Sequence, residues 1–538
     1  MRNKTILTVL LALAIQGCGS SAPKEQAPHP VLSFTDFRKL DNLRAPELVA
    51  GDQGRESCDS ACAQLRQEFR YVVYVGKQIY CYWDQKKAET GTDFDALATS
   101  LEKRIQTGAT PTDVYMTLRL WASAFHDGHV NVLMKPDTSD VLLYTAPVRI
   151  EILGPATSHE RVYVVEVKSP GPAKVGDEVL AIDGLEIGKA LDQAETITSG
   201  STKRMRRFFA SRRLIDGYGA EFGSGALKLK LRRTFADGSP AKDLNVELAR
   251  TADLEPKPPG TPTAPTTGIE LMKTMILPGG LGYLRIDAFS GTQSFTLLDQ
   301  AMRLLANTKG LLIDLRKNGG GDQSGNSVIA WLISKEVTRY TTSERMADFI
   351  LAMRPANFQL PWQPGALFAD WHPLNVKPKV GGSYGGKPVV ALTSPNCFSA
   401  CDTFTAGLHA NKLATIVGEG TGGGTGTPLV FDLPISGFQF RYSVVRGLTA
   451  QNDVIEGAGT LPDQMIEPVI LDRVTGADSQ LDRALAVLAG QVGSSPATDE
   501  LAAGIVARTG TVWTQGFDLA PTLRDEWELR RIAASDEL

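Results

Sequence analysis

Residues 387–426 constrain the fold of this chain most strongly, because they contain a strand, a tight turn, a helix, a second strand and a glycine loop in close succession. Residues 389–392 are a short apolar run of the kind found in buried strands, and residues 394–396 interrupt it. A helical pattern follows from about residue 398 to residue 409. Strands that alternate with helices in this way, here and over residues 282–315, predict an α/β layered fold.

Ser399 lies at the junction between this strand and this helix. A serine in that position can present its hydroxyl above the edge of a sheet. The backbone N–H groups of the helix start then face any negative charge that forms on a bound carbonyl. This geometry suits an acyl-transfer nucleophile, although the pattern Gly-x-Ser-x-Gly is absent. The alternative interpretation is a serine that only caps the helix.

Phe398-Ser399-Ala400 with Asp402, followed by the glycine-rich residues 418–424, resembles the tail-specific (C-terminal-processing) serine peptidase family. The pattern is most similar to the branch that contains the tricorn core and interphotoreceptor retinoid-binding protein. Further matches follow in family order at residues 127–129, 314–316, 318–321, 456 and 462–463. The matches span roughly residues 110–470. The resemblance implies a crotonase-like ββα superhelix with Ser399 as the nucleophile.

A serine nucleophile needs a base, and one branch of this family uses a lysine. The lysine position falls within residues 422–424, which are all glycine here, so a histidine is expected instead. Of the six histidines, His129 matches the family motif and begins a predicted strand. We therefore expect His129 to be the base, with His126, at the end of a predicted helix, as the alternative.

Glu456 matches the family glutamate that orients the histidine, and the alternative is a glutamate on a surface loop. In the tricorn branch a serine just before the histidine links it to the glutamate. Here that position is Gly128. Glu456 would then contact His129 directly or through water, or Asp127 would take its place.

The expected oxyanion hole combines the N–H of Ala400 with one from Gly319 or Gly320, because consecutive glycines let backbone N–H groups approach a ligand closely. The same glycines also suit a tight turn that ends the preceding strand, and both interpretations can hold. Asp402 is interpreted as a structural acid in the first turn of the helix.

The first residues predict export. Arg2 and Lys4 precede an apolar run at residues 6–15 that is too short to span a bilayer. Residues 15–18 resemble a bacterial lipoprotein cleavage box, so Cys18 would carry lipid and become the mature N-terminus. The alternative is a plain signal peptide with a chance cysteine. We expect a lipid-anchored protein of the bacterial cell envelope that faces the periplasm or the exterior.

The remaining chain divides into several predicted regions. A PDZ-like domain is expected because residues 176–184 are similar to its central strand and turn, and residues 227–231 and 244–248 form a hairpin pattern. The usual carboxylate-binding loop is not evident, which leaves recognition of a peptide C-terminus open. The predicted regions are a signal peptide 1–18, a tether 19–33, a helical domain 34–140, the PDZ-like domain 141–252, a proline-rich linker 253–267, the peptidase core 268–495 and an unassigned extension 496–538.

Charge and cysteine content bear on whether the protein binds nucleic acid or a metal and whether its cysteines pair. A net charge of −4 over 538 residues gives no general basic field for nucleic acid, and the basic residues 203–207 are interpreted as a solvated face of a helical stretch at 191–216. The two Cys-x-x-x-Cys pairs lack further ligands at zinc spacing, so no metal and no cofactor are expected. Cys397 and Cys401 lie one helical turn apart on either side of Ser399. They would either pair or be two small core residues.

These features predict a serine endopeptidase or carboxy-terminal processing peptidase that hydrolyses exported polypeptides through Ser399, His129 and Glu456. The alternative is a non-catalytic relative that binds an apolar ligand or a peptide on the same fold. A coenzyme A enzyme of the crotonase type would share the core fold, but would leave the PDZ-like region and Ser399 unexplained. The sequence leaves the oligomeric state open.

Overall fold

A computed structural model describes the parts of the chain on which the following sections rest. The predicted signal peptide with Cys18, most of the tether and linker, and the whole C-terminal extension lie outside the described residues. Within those described ranges, no helix combines the length and apolar character needed to cross a bilayer. The described residues are 33–38, 58–134, 141–154, 161–217, 225–235, 239–254, 271–291, 293–347 and 366–493.

The described N-terminal residues are largely helical. Its helices are α1 (Ser60–Ile79), α2 (Trp83–Thr90), α3 (Phe94–Glu102) and α4 (Pro111–Ser123). Helix α4 begins at a capping box, in which Thr110 and Asp113 each accept a backbone N–H from the other residue. Trp121 of α4 is fully buried and donates to Tyr442 of the core at 2.7 Å. The helices therefore pack directly on the C-terminal half of the chain, and strand β1 (Asn131–Met134) follows α4.

The middle region is built around one antiparallel sheet with the order β3-β4-β5-β7-β8. Leu227 pairs with Leu248 in the expected hairpin. The helical stretch predicted at 191–216 is broken at 196–202, where serine, threonine and glycine favour turns and caps. The elements are β2 (Leu142–Thr145), β3 (Val148–Leu153), β4 (Arg161–Val167), β5 (Glu178–Ile182), β6 (Leu185–Glu186), α5 (Ile187–Glu195), α6 (Lys203–Arg213), β7 (Leu227–Arg233), β8 (Lys242–Leu248) and β9 (Thr251–Leu254).

The expectation that residues 203–207 form a solvated basic face is wrong. Arg206 is only 7% exposed and pairs with Glu195 of α5 at 2.8 Å. Arg204 pairs with Glu419 of the core at 2.6 Å. The arginines of α6 therefore bind the helix to α5 and to the core. The charge pattern of the sequence does not reveal these ion pairs, because the partners lie on other elements.

The C-terminal core has the predicted α/β layering. Its main sheet has the order β10-β11-β12-β15-β16-β20, and all neighbours are parallel except β10 and β11. Helices α7, α8 and α9 cover one face, and α11 covers the other. The elements are β10 (Met272–Leu277), β11 (Leu281–Ile286), α7 (Ser294–Leu305), β12 (Gly310–Asp314), α8 (Asn326–Leu332), β13 (Val337–Glu344), β14 (His372–Val376), β15 (Val389–Thr393), α9 (Ala400–Ala410), β16 (Thr415–Gly418), β17 (Pro428–Asp432), β18 (Phe438–Ser443), β19 (Val445–Thr449), β20 (Gln464–Met465), α10 (Ile470–Thr475) and α11 (Ser479–Gln491).

Two small sheets complete the core. Residues 335–386 contain β13 and β14, which form a sheet with β19 in the order β14-β13-β19. β13 is rich in β-branched residues, which favour a strand. Glycines and prolines elsewhere in residues 335–386 make this preference hard to recognise in the sequence. The other sheet has the order β1-β18-β17, so the strand that follows the histidine motif belongs to the core sheet system.

Candidate active site

Ser399 occupies a sharp turn between β15 and α9, with φ 59° and ψ −117°. Side chains other than glycine rarely adopt such a conformation, and it persists only where the surroundings enforce it. A disulfide joins Cys397 to Cys401 across this turn, and the Asp402 carboxylate accepts the Ser399 N–H at 3.1 Å. A positive φ cannot continue a helix, so Ser399 lies just before α9 rather than in its first turn. A strained strand-to-helix turn of this kind is typical of an exposed nucleophile.

Asp402 ties this turn to the glycine loop that follows β16. Its buried carboxylate also accepts the N–H groups of Gly423 and Gly424, at 3.0 and 2.9 Å. Burial raises the pKa of Asp402 to about 7, against the lowering effect of these hydrogen bonds. The expected structural role of Asp402 is consistent with these contacts.

The ring of Phe398 fills the space between the turn and the glycine loop. It packs on the ring of His129, with 4.5 Å between the ring centroids. A Cβ atom at Gly424 would lie 1.8 Å from this ring, and one at Gly128 would lie 2.6 Å from it. The ring therefore occupies the space that a lysine at 424 would need, and it leaves no room for a side chain just before His129.

His129 is buried beside Phe398, with 3% of its surface exposed. Its backbone N–H donates to Asp127 at 2.7 Å, and its ring Nδ1 lies 3.9 Å from the same carboxylate oxygen. Neither ring nitrogen has a hydrogen-bond partner among the described residues. Desolvation lowers the pKa of His129 to about 4, with Asp127 opposing this shift and Arg441 adding to it. The imidazole is therefore neutral near pH 7, which is the form that can accept a proton.

Glu456 is also buried, at 2% exposure, so the surface-loop interpretation is wrong. Its carboxylate accepts the Thr425 N–H at 3.0 Å and lies 3.4 Å from the Nζ atom of Lys86 on α2. Burial raises the pKa of Glu456, and the ammonium of Lys86 acts in the opposite direction.

His129 and Glu456 approach the same short loop from two sides. The Nδ1 atom of His129 is 2.9 Å from the position that a Cβ of Gly426 would occupy, and Thr425 beside it binds Glu456. Among the contacts of the described residues, none joins the Glu456 carboxylate directly to the His129 ring. The structure therefore brings Ser399, His129 and Glu456 into one neighbourhood, with Asp127 as the carboxylate beside the imidazole.

The expected oxyanion donors lie beside Ser399. The Cβ position of Gly320 is 2.8 Å from the Ser399 Cβ and 3.2 Å from the Ala400 nitrogen. Ala400 is the first residue of α9, so its N–H has no partner within the helix. The N–H of Gly320 donates to the Asn318 side chain at 2.9 Å, which favours Gly319, an exposed glycine with open space around its Cα, as the second donor.

Two residues that touch this site were not predicted from the sequence. Lys86 pairs with Glu456, and the Ser201 Oγ atom accepts the N–H of Gly128 at 3.1 Å. Both lie far along the chain from the motif residues that they contact, so local patterns do not identify them. The alternative base His126 follows the end of α4 and has φ 47°, and burial with nearby Arg206 lowers its pKa to about 4.

Comparisons with known proteins bear on this arrangement. The sequence model of Peptidase family S41 matches residues 280–466. A carboxyl-terminal-processing protease from Synechocystis sp. is 26% identical over 217 residues, which is 39% of this chain and 44% of that protein. The chain thus matches less than half the length of this curated relative.

The fold is similar to solved structures. Mature CPAF complexed with lactacystin superimposes with a TM-score of 0.63 at 17% identity, covering 81% of this chain and 100% of that chain. Mature CPAF alone gives a TM-score of 0.61 at 16% identity, covering 85% of this chain and 100% of that one. At these identities the likeness concerns the fold.

Proposed function

We propose that this chain, whose residues 280–466 match the sequence model of Peptidase family S41, is a serine peptidase with Ser399 as nucleophile, His129 as base and Glu456 as the orienting acid. The observation that carries the proposal is the strained backbone of Ser399 at the start of α9, beside glycines that can donate N–H groups. Strain of this kind, held by a disulfide and a buried carboxylate, has no evident purpose for a serine that only caps a helix.

In the proposed reaction, neutral His129 accepts the proton of Ser399 as the Oγ atom attacks the peptide carbonyl carbon. The negative oxygen of the tetrahedral intermediate accepts hydrogen bonds from the N–H groups of Ala400 and Gly319, and losing one such donor typically costs about 3 kcal/mol of transition-state stabilisation. His129 then returns the proton to the leaving amine, and water hydrolyses the acyl-enzyme by the same steps. Hydrogen bonds of this type often tighten only when substrate is bound.

The first experiment uses a fluorophosphonate probe. It should label the wild type and fail to label Ser399→Ala. His129→Ala should reduce peptidase turnover by about three orders of magnitude or more, because loss of the base removes nucleophile activation. Glu456→Gln should lose less, and His126→Ala serves as the control that changes little. Near-normal turnover in His129→Ala together with its loss in His126→Ala would show that the base is misassigned.

The substrates that we propose are exported polypeptides, cleaved by a lipoprotein of the bacterial cell envelope whose middle region is PDZ-like and whose core is a crotonase-like superhelix. The basis for export is the sequence of residues 1–18. Mass spectrometry of the mature N-terminus should find a diacylated or triacylated Cys18. An intact Met1, or cleavage without lipid, would contradict the anchor.

A second candidate function is binding without catalysis. It is favoured by the pairing of Glu456 with Lys86, since within the described part of the chain no hydrogen bond joins the His129 ring to Glu456. Under this hypothesis the folded wild type neither reacts with the probe nor cleaves unfolded polypeptides, yet it binds an apolar ligand. A fluorescent fatty-acid titration beside the labelling assay separates the two functions.

A further inference from the structure

We propose that Ser201, on the turn between α5 and α6, is a positioning residue of the catalytic site, whose hydroxyl holds the backbone beside His129. This inference rests on the proposed peptidase function. It assigns to the middle region of the chain a direct part in the site.

The contacts of Ser201 support this role. Its side chain is buried, with 1% exposure, and its Oγ atom accepts the N–H of Gly128 at 3.1 Å. Hydrogen bonding from the same hydroxyl lowers the pKa of Glu456. The side chain thus holds the backbone that carries His129, and its hydroxyl also favours the ionised form of the proposed orienting acid.

The hydroxyl has to come from a distant segment because position 128 cannot supply it. A Cβ at Gly128 would lie 2.6 Å from Cζ of Phe398 and 3.1 Å from Cε of Met205. A serine there, which the resemblance to the tricorn branch leads one to expect, would overlap the Phe398 ring and make a tight contact with Met205. Ser201 places its Oγ atom against the same peptide from the opposite direction.

The turn that carries Ser201 is held rigidly against the core. The N–H of Thr202 donates to the carbonyl of Gly422 at 3.1 Å. The guanidinium of Arg206 donates to the carbonyl of Ser201, also at 3.1 Å, and that of Arg204 bonds Glu419 at 2.6 and 3.0 Å. A fixed turn is what a positioning group requires, since an error of about 1 Å in a catalytic group can reduce the rate on the order of 100-fold.

Helix α6 is fixed at its other end as well. The Oγ atom of Ser211 accepts the backbone N–H of Ile152 from the outer edge of β3 at 3.3 Å, and Arg212 pairs with Glu151 at 3.0 Å. The helix therefore covers the strand edge on one side and carries Ser201 on the other. Because Ser211 has a fully buried hydroxyl on the same helix but away from the site, it offers a matched control.

Removal of the Ser201 hydroxyl should raise the pKa of Glu456, since that hydroxyl stabilises the ionised carboxylate. The surroundings of Glu456 are otherwise unchanged by this substitution. The titratable groups that act on the Glu456 carboxylate are Lys86, Asp127, Tyr80, Cys81 and Tyr82.

The test compares Ser201→Ala, Ser201→Thr and the control Ser211→Ala. We expect Ser201→Ala to lower kcat about 10- to 100-fold with KM changed less than about twofold, and to move the acid limb of the kcat profile to higher pH. Ser201→Thr keeps the hydroxyl and should restore most of kcat and the original limb. Ser211→Ala should keep the wild-type kcat and pH profile.

Two readouts separate this inference from the proposed function. Fluorophosphonate labelling of the wild type tests the function alone. A carbon-13 NMR titration of the Glu456 carboxyl group needs no activity, and its midpoint should rise in Ser201→Ala but not in Ser211→Ala. An unchanged midpoint, or an equal loss of kcat in Ser201→Ala and Ser211→Ala, would overturn the role of Ser201.

Discussion

Gly424→Ala should destabilise this protein strongly, although it adds only one methyl group. The new Cβ would lie 1.8 Å from Cε2 and 2.1 Å from Cζ of Phe398, whereas carbon atoms normally approach to about 3.5–4.0 Å. Gly424 has no positive φ, so the conflict is steric and not conformational. Overpacking typically costs about 1–3 kcal/mol. Because His129 and Gly128 enclose the ring on its other sides, we expect a loss of about 3 kcal/mol or more.

Urea unfolding measures this cost, and the same loop supplies a control. At Gly420 an added Cβ would meet Leu461 at an ordinary 3.5 Å, so Gly420→Ala should change the free energy of unfolding by less than about 0.5 kcal/mol. Removal of the ring should relieve the overlap at 424. The double variant Gly424→Ala/Phe398→Ala should therefore be less destabilised than the sum of its single variants, by about 1–3 kcal/mol.

The reasoning fails if Gly424→Ala unfolds at the same urea concentration as Gly420→Ala. It also fails if the effects of Gly424→Ala and Phe398→Ala are additive. Either result would mean that the ring of Phe398 does not fill the space beside the glycine loop. The interpretation of residues 422–424 as a position closed to lysine would then be lost with it.

Three further predictions concern the same site. The pKa of His129 is about 4 in the folded protein, against an ordinary value of 6.5. The free energy of unfolding should therefore fall by roughly 3 kcal/mol as the pH drops from 6.5 towards 4. Urea unfolding should show a smaller decrease over this pH range in His129→Gln. Loss of the Cys397–Cys401 disulfide should cost about 2 kcal/mol and slow labelling of Ser399, and free alkylation of both thiols without reductant would refute the pairing. Lys86→Met should lower the free energy of unfolding by about 3–5 kcal/mol, because it leaves the Glu456 carboxylate buried without its cation. In thermal unfolding, the double variant Lys86→Met/Glu456→Gln should recover much of this loss. Additive effects of the two substitutions would argue against an interaction between Lys86 and Glu456.

Local patterns predicted the parts of the structure that depend on near neighbours. The β7–β8 hairpin and the alternation of strands and helices around Ser399 both follow from residues a few positions apart. Ser399, His129 and Glu456 were assigned through family resemblance. The structure buries His129 and Glu456 around the same short loop, and the catalytic roles of all three residues stay a prediction.

The remainder of the site depends on contacts between distant residues. Ser201 meets Gly128 across 73 positions, and Lys86 meets a glutamate far along the chain. No spacing in the sequence encodes such pairs. The arginines of α6 were misinterpreted for the same reason, since their partners Glu195 and Glu419 appear only when the helix is packed.

The residues of the proposed site lie far apart in the sequence, and this determines when the site can form during synthesis. Lys86 is in the first fifth of the sequence, Ser201 follows in the middle region, and Glu456 comes near the end of the described residues. A ribosome that adds about 5–20 residues per second needs on the order of 20–60 seconds to proceed from His129 to Glu456. Throughout that interval the nascent chain lacks its orienting acid, so the site that we propose stays incomplete until Glu456 has been added. This order would delay the formation of a protein-cleaving centre while the chain is still being synthesised.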